Sequence, residues 1–579
     1  MCGIYGFIGF KDDKLLSQMG ECLAHRGPDD QDFYQKDLVN FGYRRLSIID
    51  VKKSFQPLFN EDKSIILLFN GEIYNFQELR EKLPKHKFVT DGDGETIIHW
   101  YEEHGVAGLK DLNGMFAISL YDTKKQKVYL IRDHFGIKPL YYSTRVQPLS
   151  GIIFASEIKA ILKKIKAKPN DKIIQKYLLT RAHDDTEETF FKNINRVPSG
   201  SFLEWDVKTG QHQIKRFFDL ARAAPANLKN ENLINRFREL FLDSIRLRLI
   251  SEVPVGTALS GGLDSSAIVC AVPQLKTFSA VFPNQINNEE KYIDEVVKKT
   301  GATAFKIYPN PSEFWSEIEK LIYHQDEPMI STGPYAQWKV MEKAHTEGIK
   351  VIIDGQGADE MLAGYTPYHF VYFRELFNKK EYLKLFKELL FSIDLIWPLV
   401  KDKFKSRVNI KDLFVFAGLH PALQGATLKE RLKRDFFSTS LPSLLRYEDH
   451  NSMAFSIESR VPFLDYRLVE LVFSLPPNFI IRNGWNKWIM RQALKGILPE
   501  IIRNRRWKVG FTTPEVAWLR ETAAEVRKIF NSESFNHRPY FNHDKIRESF
   551  ENFVAGKNDE SMIFWRIINL ELWLRIFID

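Results

Sequence analysis

Cysteine and long apolar runs are both scarce in this 579-residue chain, whose only thiols are Cys2, Cys22 and Cys270. An odd, sparse set of cysteines argues against a disulfide framework and is typical of a reducing compartment. The most apolar late stretch, 389–400, contains Asp394 and Pro398 and is too short to span a bilayer. Residues 1–10 lack the basic segment of a signal peptide. We therefore expect a cytoplasmic protein without a membrane partner.

A strong excess of charge is also missing. The net charge of +8 comes from 82 basic and 74 acidic residues, a weak bias over this length. A basic rim around a nucleotide pocket explains it as well as nucleic acid would, so we expect no nucleic-acid partner. Hydrophobic residues make up 44% and charged residues 27%, which is ordinary for a soluble enzyme. The length predicts two large domains or three to four smaller ones.

The first two hundred residues consist largely of short β-type runs broken by turn residues. Residues 65–69 (IILLF) lead into Asn70-Gly71, which we interpret as a turn, and 128–131 is another short apolar run. This pattern predicts a largely β-sheet domain with some covering helices.

The pattern changes near residue 220. Residues 231–250 have apolar side chains at helical spacing, and 253–270 read as a strand, a glycine loop and a helix. Strands and helices then alternate, which indicates a parallel α/β sheet. We place one domain at 2–215, a linker at 216–230 and a second domain at 231–579.

The glycine loop 259–266 (LSGGLDSS) has the composition of an anion site. Its glycines allow close backbone approach, and amides at a helix start, which we place near Ser265, favour a pyrophosphate-like group. No lysine follows, so this is not the GxxxxGK[ST] pattern; the loop suits an enzyme that adenylates a substrate and releases pyrophosphate. Asp264 is placed to hold Mg²⁺. The alternative is a loop that only caps a helix.

A second loop, 354–360 (DGQGADE), weakens that alternative. It follows the apolar run 351–353, and ligands of open α/β folds bind at the carboxyl ends of strands. Asp359 is a second candidate magnesium ligand. Two such loops from one sheet are hard to explain by capping alone.

Cys2 is a candidate nucleophile. After removal of Met1 its α-amine, with a reference pKa of about 8, would act as base for its own thiol, whose reference pKa is about 8.5. Asn70-Gly71 would supply oxyanion donors. Taken alone, a cysteine at position two is more often incidental.

These signals join in a family resemblance. The motifs of the first half are 1–7 (MCGIYGF), 25–29 (HRGPD), 45–50 (RLSIID), 56–57 (QP), 70–75 (NGEIYN) and 132–141 (RDHFGIKPLY). Together they resemble the class II glutamine amidotransferase domain. The second half adds to its two loops the motifs 451–454 (NSMA), 460–465 (RVPFLD) and 506–511 (RWKVGF). It resembles the synthetase domain of glutamine-hydrolysing asparagine synthetases, and the resemblance covers nearly the whole chain.

The resemblance implies an N-terminal-nucleophile hydrolase αββα sandwich followed by a parallel-sheet α/β ATP-pyrophosphatase domain with extra helices. Cys2 matches the nucleophile, and Asn70 and Gly71 match the oxyanion hole. Arg45 would bind the glutamine α-carboxylate bidentately and Asp93 its α-ammonium. The implied glutamine-binding set is Arg45, Leu46, Ile49, Asn70, Gly71, Glu72 and Asp93.

In the second half, the resemblance implies an ATP site fed with ammonia through an internal tunnel. The ATP-contacting positions are Leu259, Ser260, Gly261, Gly262, Leu263, Asp264, Ser265, Ser266, Ala280, Asp354 and Gly355. Asp264 and Asp359 match magnesium or pyrophosphate contacts, and Lys487 matches a catalytic lysine that stabilises phosphate charge. Members of this family often form homodimers.

We therefore expect ATP-dependent asparagine synthesis from aspartate and glutamine through β-aspartyl-AMP. The loop 354–360 departs from the family pattern in a way that weakens the assignment of aspartate as the acceptor. Many asparagine synthetases carry an acid where this chain has Gln356, and a serine where it has Asp354. This motivates the alternative of a paralogue that amidates another carboxylate, such as a sugar acid or a secondary-metabolite intermediate. A non-catalytic homologue is disfavoured because both sites are complete. His25 and His134 are interpreted as structural.

Overall fold

The computed structural model describes residues 2–146, 151–220, 230–283, 285, 288–395, 413, 427–506 and 513–579. Most of the predicted linker, 221–229, lies outside these residues, as do 507–511 of the RWKVGF motif. Within the described ranges, every helix is too short or too polar to cross a membrane.

Two antiparallel sheets of six strands form the first half. Their strands are β1 (Cys2–Ile8), β2 (Asp30–Lys36), β3 (Val39–Arg45), β4 (Leu58–Phe59), β5 (Ile65–Ile73), β6 (Gly114–Asp122), β7 (Lys127–Arg132), β8 (Tyr141–Ser143), β9 (Ile152–Ala155), β10 (Asn195–Arg196), β11 (Ser201–Asp206) and β12 (His212–Arg216). The orders are β10-β8-β9-β1-β3-β2 and β12-β11-β7-β6-β5-β4. The inner faces meet in one apolar cluster that includes Ile4, Phe41, Leu68 and Leu130. The largely β-sheet prediction is confirmed.

Helices cover both outer faces of this sandwich. They are α1 (Leu15–Cys22), α2 (Phe76–Glu81), α3 (Asp93–His104), α4 (Ile158–Ile161) and α5 (Asp171–Thr180), with a 3-10 segment at Gly105–Asp111. The first sheet packs against α1, α4 and α5, and the second against α2 and α3. The predicted αββα sandwich is thereby confirmed.

The predicted turn at Asn70-Gly71 is wrong, because both residues lie inside β5 and pair with β6. Gly71 has φ +153°, and a Cβ there would lie 2.0 Å from the carbonyl oxygen of Met115. Glycine is therefore required by the close approach of two strands, which a turn-based interpretation of the dipeptide misses.

A five-stranded parallel sheet organises the second half. Its strands are β13 (Val255–Ala258), β14 (Lys276–Ala280), β15 (Thr303–Ile307), β16 (Val351–Ile353) and β17 (Glu458–Arg460), in the order β15-β14-β13-β16-β17. All four neighbouring pairs are parallel, as the sequence pattern predicts. The glycine loop and the second loop follow β13 and β16, which lie side by side.

Helices surround this sheet and build the rest of the chain. They are α6 (Asn230–Arg248), α7 (Leu263–Ala271), α8 (Glu290–Thr300), α9 (Pro311–Gln325), α10 (Gly333–Thr346), α11 (Ala358–Met361), α12 (Pro367–Asn378), α13 (Tyr382–Phe391), α14 (Leu428–Arg434), α15 (Leu441–Ala454), α16 (Tyr466–Ser474), α17 (Trp488–Ala493), α18 (Glu500–Arg503), α19 (Glu515–Glu521), α20 (Ala523–Phe530), α21 (Glu533–Asn536), α22 (His543–Val554) and α23 (Ser561–Phe577). The helix predicted at 231–250 is confirmed as α6. The glycine-loop helix, α7, begins at Leu263 and not near Ser265, since Gly262 is the last extended residue before it.

Buried ion pairs join the two halves. The Arg26 Nη1 atom lies 2.8 Å from both Glu157 and Asp449, and Lys138 Nζ lies 3.3 Å from Asp449. All four side chains are at most 2% exposed. Arg460 of β17 similarly lies 3.4 Å from Glu72 of β5. Removing one partner of such a pair leaves a buried charge without compensation.

Arg26→Met should therefore destabilise the protein by about 3–5 kcal/mol, the usual cost of breaking a buried ion pair. Thermal unfolding should show this as a lower Tm. The matched control is Arg236→Met, because Arg236 makes an exposed ion pair with Glu239; this change should leave Tm nearly unaltered. Equal Tm values for both variants would contradict a stabilising role for the ion pairs between the halves.

Two candidate active sites

The first candidate site is a cavity at the start of β1. It is lined by Cys2, Arg45, Leu46, Ile48, Ile49, Ser54, Gln56, Leu58, Phe69, Gly71, Glu72, Asp93 and Gly94. Every predicted glutamine-binding residue lines it except Asn70, which contacts Cys2 directly. Backbone pairing explains part of this convergence, since Cys2 of β1 lies opposite Arg45 of β3.

Asn70 is arranged as a donor beside the nucleophile. Its Oδ1 accepts a hydrogen bond from the backbone nitrogen of Cys2 at 2.9 Å. The buried Nδ2 has no hydrogen-bond partner among the described residues. Because buried donors are nearly always paired, this amide is available for a developing oxyanion.

Gln56 is a neighbour of the thiol whose role sequence reasoning missed. Its Nε2 lies 3.6 Å from Cys2 Sγ and donates to the Phe69 carbonyl at 2.8 Å. The Gln-Pro motif pointed to this position but to no function. Burial raises the pKa of the Cys2 thiol, and the positive chain terminus opposes that shift. The thiol therefore needs a base to become a nucleophile at neutral pH.

Arg45 provides the positive end of the cavity. Its two terminal nitrogens donate to the carbonyls of Val51 at 3.0 Å and Asp50 at 2.8 Å, and its guanidinium lies over the Phe55 ring. Among the described residues no carboxylate forms an ion pair with it, although it is only 4% exposed. A positioned guanidinium without a counter-ion suits a substrate carboxylate.

Asp93 and Glu72 form the acidic side of the same cavity. Burial raises the pKa of Asp93 to about 6, although the Ile73 amide donates to it at 2.7 Å. The pKa of Glu72 is raised well above its ordinary value by burial and by the nearby charges of Glu458 and Asp93. A substrate ammonium would relieve this repulsion. The cavity thus has one end for a carboxylate and one for an ammonium, as an α-amino acid requires.

The second candidate site lies where the loops after β13 and β16 meet. A Cβ on Gly355 would lie 3.1 Å from the Cβ of Asp264, so glycine permits this contact. The hydroxyls of Ser260 and Ser265 form a hydrogen bond at 3.0 Å, and the Gly262 amide donates to the Ser260 hydroxyl. The described loop is therefore held by its own serines. Ser266 is fully buried in α7, behind the loop.

A lysine between two aspartates marks the centre of this site. Lys487 Nζ lies 2.7 and 2.5 Å from the two carboxylate oxygens of Asp264 and also pairs with Asp359. The three side chains come from α7, α11 and the start of α17, and each is about nine-tenths buried. Two carboxylates that converge on one cation have the donor set that Mg²⁺ prefers when phosphate is present.

Sequence reasoning missed the role of the arginines next to this centre, although Arg506 opens the RWKVGF motif. A pocket formed by the glycine loop and Lys487 also includes Glu289, Gly364, Asn486, Arg491, Arg505 and Arg506. Arg505 donates to the Gly261 carbonyl at 3.0 Å and pairs with Glu289 at 2.7 Å. The basic run 503–506 was the available signal, but only the fold brings it to the loop. These guanidiniums give the pocket a positive wall for phosphates.

The remaining predicted ATP residues lie around this edge. The Leu259 amide donates to the Phe278 carbonyl at 2.9 Å, and Ala280 is the last residue of the neighbouring β14. Asp354 follows β16 and accepts from the amide of Gly355 at 2.6 Å. Leu263 begins α7 and lines the pocket with Gly262. The predicted set therefore gathers at the carboxyl edge of β13, β14 and β16.

His25 and His134, which the sequence analysis interprets as structural, line neither cavity. His25 Nε2 lies 3.0 Å from Glu157, and His134 stacks on Tyr466 with ring centroids 5.2 Å apart. Burial lowers the pKa of His134 to about 4. It is therefore neutral at physiological pH.

Family comparisons agree with this arrangement. Residues 236–575 match the asparagine synthase family model, and residues 1–218 match the glutamine amidotransferase domain model. The chain belongs to the asparagine synthase family. This family member is 30% identical over 632 residues to glutamine-hydrolysing asparagine synthetase 1 of Bacillus subtilis strain 168, with 100% of this chain and 97% of that protein covered.

Two further relatives support the family assignment. Asparagine synthetase 2 of the same Bacillus strain is 31% identical, with 93% of this chain and 76% of that protein covered. Asparagine synthetase B of Escherichia coli K12 is 27% identical, with 95% and 90% covered. Both relatives are glutamine-hydrolysing by name.

The raised pKa of Asp93 predicts how glutamine affinity changes with pH. If Asp93 binds the glutamine ammonium, as the sequence resemblance implies, binding requires the ionised carboxylate, so the KM for glutamine should rise as the pH falls through about 6. Asp93→Asn should raise KM roughly 10- to 100-fold, the loss expected for a hydrogen bond to a charged group, and remove this dependence. Glutamate release measured from about pH 5 to 8 tests both effects.

The matched control is Asp91→Asn, since Asp91 lies two residues before Asp93 in the chain but is exposed and pairs with Lys53. It should keep both the KM and the pH profile of the parent. A profile that is flat in the parent and unchanged in Asp93→Asn would refute the assignment of Asp93.

Proposed function

We propose that this protein makes asparagine from aspartate, glutamine and ATP. The observation that carries the proposal is the presence of two separate charged sites in one chain. One is an amino-acid cavity around a buried cysteine, and the other is the Asp264–Lys487–Asp359 centre beside a glycine loop. Family membership supports the same reaction and favours aspartate over other acceptors.

In the first site, the Cys2 thiolate attacks the carboxamide carbon of glutamine. The Asn70 Nδ2 and a backbone amide at Gly71 stabilise the oxyanion, while Arg45 and Asp93 hold the α-carboxylate and the α-ammonium. Collapse of the tetrahedral intermediate releases ammonia and leaves a thioester. Water then hydrolyses the thioester to glutamate. Removal of Met1 would give Cys2 an α-amine as its base.

In the second site, the β-carboxylate of aspartate attacks the α-phosphate of ATP and displaces pyrophosphate. The glycine loop and the Arg491 and Arg505 guanidiniums bind phosphate oxygens, and Lys487 stabilises their charge. Asp264 and Asp359 would hold Mg²⁺, which neutralises charge on the departing pyrophosphate. Ammonia from the first site then attacks the acyl-adenylate, and AMP leaves.

Three further assignments belong to the proposal. The amidotransferase unit is 2–215 and the synthetase unit 231–579; β12 ends at Arg216 and α6 begins at Asn230, each one residue beyond these bounds. The protein works in the cytoplasm, in line with three cysteines that form no disulfide. The active species is a homodimer; sedimentation velocity tests this directly.

The deciding assay measures AMP, pyrophosphate and asparagine with ATP, Mg²⁺ and glutamine, with and without aspartate. Aspartate-dependent AMP release with an equal amount of asparagine is the expected result. Competition with other carboxylic acids tests the paralogue alternative. Release of glutamate without aspartate-dependent AMP would contradict aspartate as the acceptor and leave the first site intact.

Cys2→Ala separates the two sites. The variant should lose glutamine-dependent synthesis by at least about a thousandfold, because among the described residues that line the cavity Cys2 carries the only thiol. Synthesis from added ammonium should remain near the parent rate, since the second site is unchanged. Loss of both activities in a folded variant would contradict the two-site assignment.

A further inference from the structure

Amide formation needs a proton acceptor, a role to which the sequence motifs assign no residue. When ammonia adds to an acyl-adenylate, its nitrogen becomes positively charged and must lose a proton before AMP leaves cleanly. Gln356 lies in the loop at this site, but a carboxamide cannot take up a proton at neutral pH. Asp264 and Asp359 are paired with Lys487.

Glu448 of α15 is a buried carboxylate in contact with the same loop. Its Oε2 accepts from Gln356 Nε2 at 3.3 Å, and the Asp354 carboxyl faces it. Gln337 of α10 and Ser459 of β17 also donate to it. The residue is 3% exposed. Among the described residues, no lysine, arginine or histidine forms an ion pair with Glu448.

The donors around Glu448 have a fixed direction. Gln325 donates to Asn451 at 2.8 Å, and Asn451 donates to Gln337 Oε1 at 3.0 Å. Because its oxygen is occupied, Gln337 presents its amide nitrogen to Glu448. This chain of amides from α9, α15 and α10 therefore prepares a site for an oxygen acceptor at Glu448.

Burial and a facing acid increase the proton affinity of this carboxylate, while the neutral donors Gln356 and Ser459 oppose that shift. Burial, followed by the charge of Asp354, raises the pKa of Glu448 well above its ordinary value. Asp354 is the titratable group that faces it; the partners from α10 and β17 are neutral. An ionised Glu448 is thus more basic than an exposed glutamate. An amide at Gln356 fits this arrangement, since an acid there would add a second like charge.

The location of Glu448 also suits the reaction. Its loop neighbour Gly355 packs against Asp264 of the glycine loop. On its other side, Ser459 lies between Glu458 and Arg460 in β17, and Arg460 reaches Glu72 of the glutamine cavity. Contacts therefore connect Glu448 through the second loop to the glycine loop and through β17 to the cavity around Cys2.

We propose that Glu448 accepts the proton of the attacking nitrogen, a role that the amide of Gln356 cannot perform. The ammonia lone pair forms the C–N bond, the extra proton passes to a Glu448 carboxylate oxygen, and the C–O bond to AMP breaks with its electron pair leaving on the phosphate. This inference rests on the proposed amide-forming reaction.

The test compares three rates in Glu448→Gln and in the parent. Glutamine hydrolysis reports the first site. Aspartate-dependent exchange of labelled pyrophosphate into ATP, without a nitrogen source, reports adenylation. Both should stay near the parent rate. Asparagine formation from added ammonium should fall at least about 100-fold, the usual contribution of a general base.

In the swapped double variant, Glu448→Gln is combined with Gln356→Glu. The numbers of acids and amides stay the same, and the carboxylate moves to the other side of the 3.3 Å contact between positions 356 and 448. This variant should recover part of the lost synthesis. The control Glu375→Gln removes a buried carboxylate of α12 that accepts from the Leu428 amide; it should leave all three rates unchanged.

Three outcomes would overturn the inference: near-parent synthesis in Glu448→Gln, equal loss of exchange and synthesis, or exchange without any recovered synthesis in the swapped variant. Absence of aspartate-dependent exchange in the parent would instead refute the proposed function. The two failures are therefore distinguishable.

Discussion

Buried charge pairs between the two halves are the constraint on which both sites depend. Arg26 holds Glu157 and Asp449 at 2.8 Å, and Arg460 spans from Glu458 to Glu72. Because an uncompensated buried ion costs several kcal/mol, the halves cannot shift without exposing or unpairing these groups. The relative position of the two cavities is thus set by electrostatics as well as by apolar packing. Ammonia formed at one site meets a second site at a fixed distance.

Strand β17 is the element through which this constraint reaches the chemistry. Its side chains alternate, so Glu458 and Arg460 share one face while Ser459 takes the other. The first face meets the cavity around Cys2 through Glu72, and the second donates to Glu448. The Asp354 amide binds the Arg460 carbonyl at 2.9 Å, which fixes the second loop to the same strand. Three residues of an edge strand therefore position groups in both sites.

Local sequence patterns predicted the fold class and the central residues of the two candidate sites, because these depend on strand patterns, glycine positions and loop chemistry. They failed where a residue depends on a partner far away in the chain. Asn70-Gly71 was interpreted as a turn because no local signal reveals that Met115 packs against Gly71. Arg505 and Glu448 carry no motif of their own. Their importance comes from Gly261, 244 residues away, and from Gln356, 92 residues away.

The departure at Gln356 illustrates why a site must be considered as a set of contacts. Considered alone, an amide in place of an acid suggests lost proton transfer or a changed acceptor. In the structure, the amide donates to a carboxylate that no described cation neutralises, and two further donors hold that carboxylate in place. An acid at 356 would face Glu448 and Asp354 with like charge in a buried setting. The amide at 356 and the acid at 448 are therefore physically coupled, and neither position can be interpreted without the other.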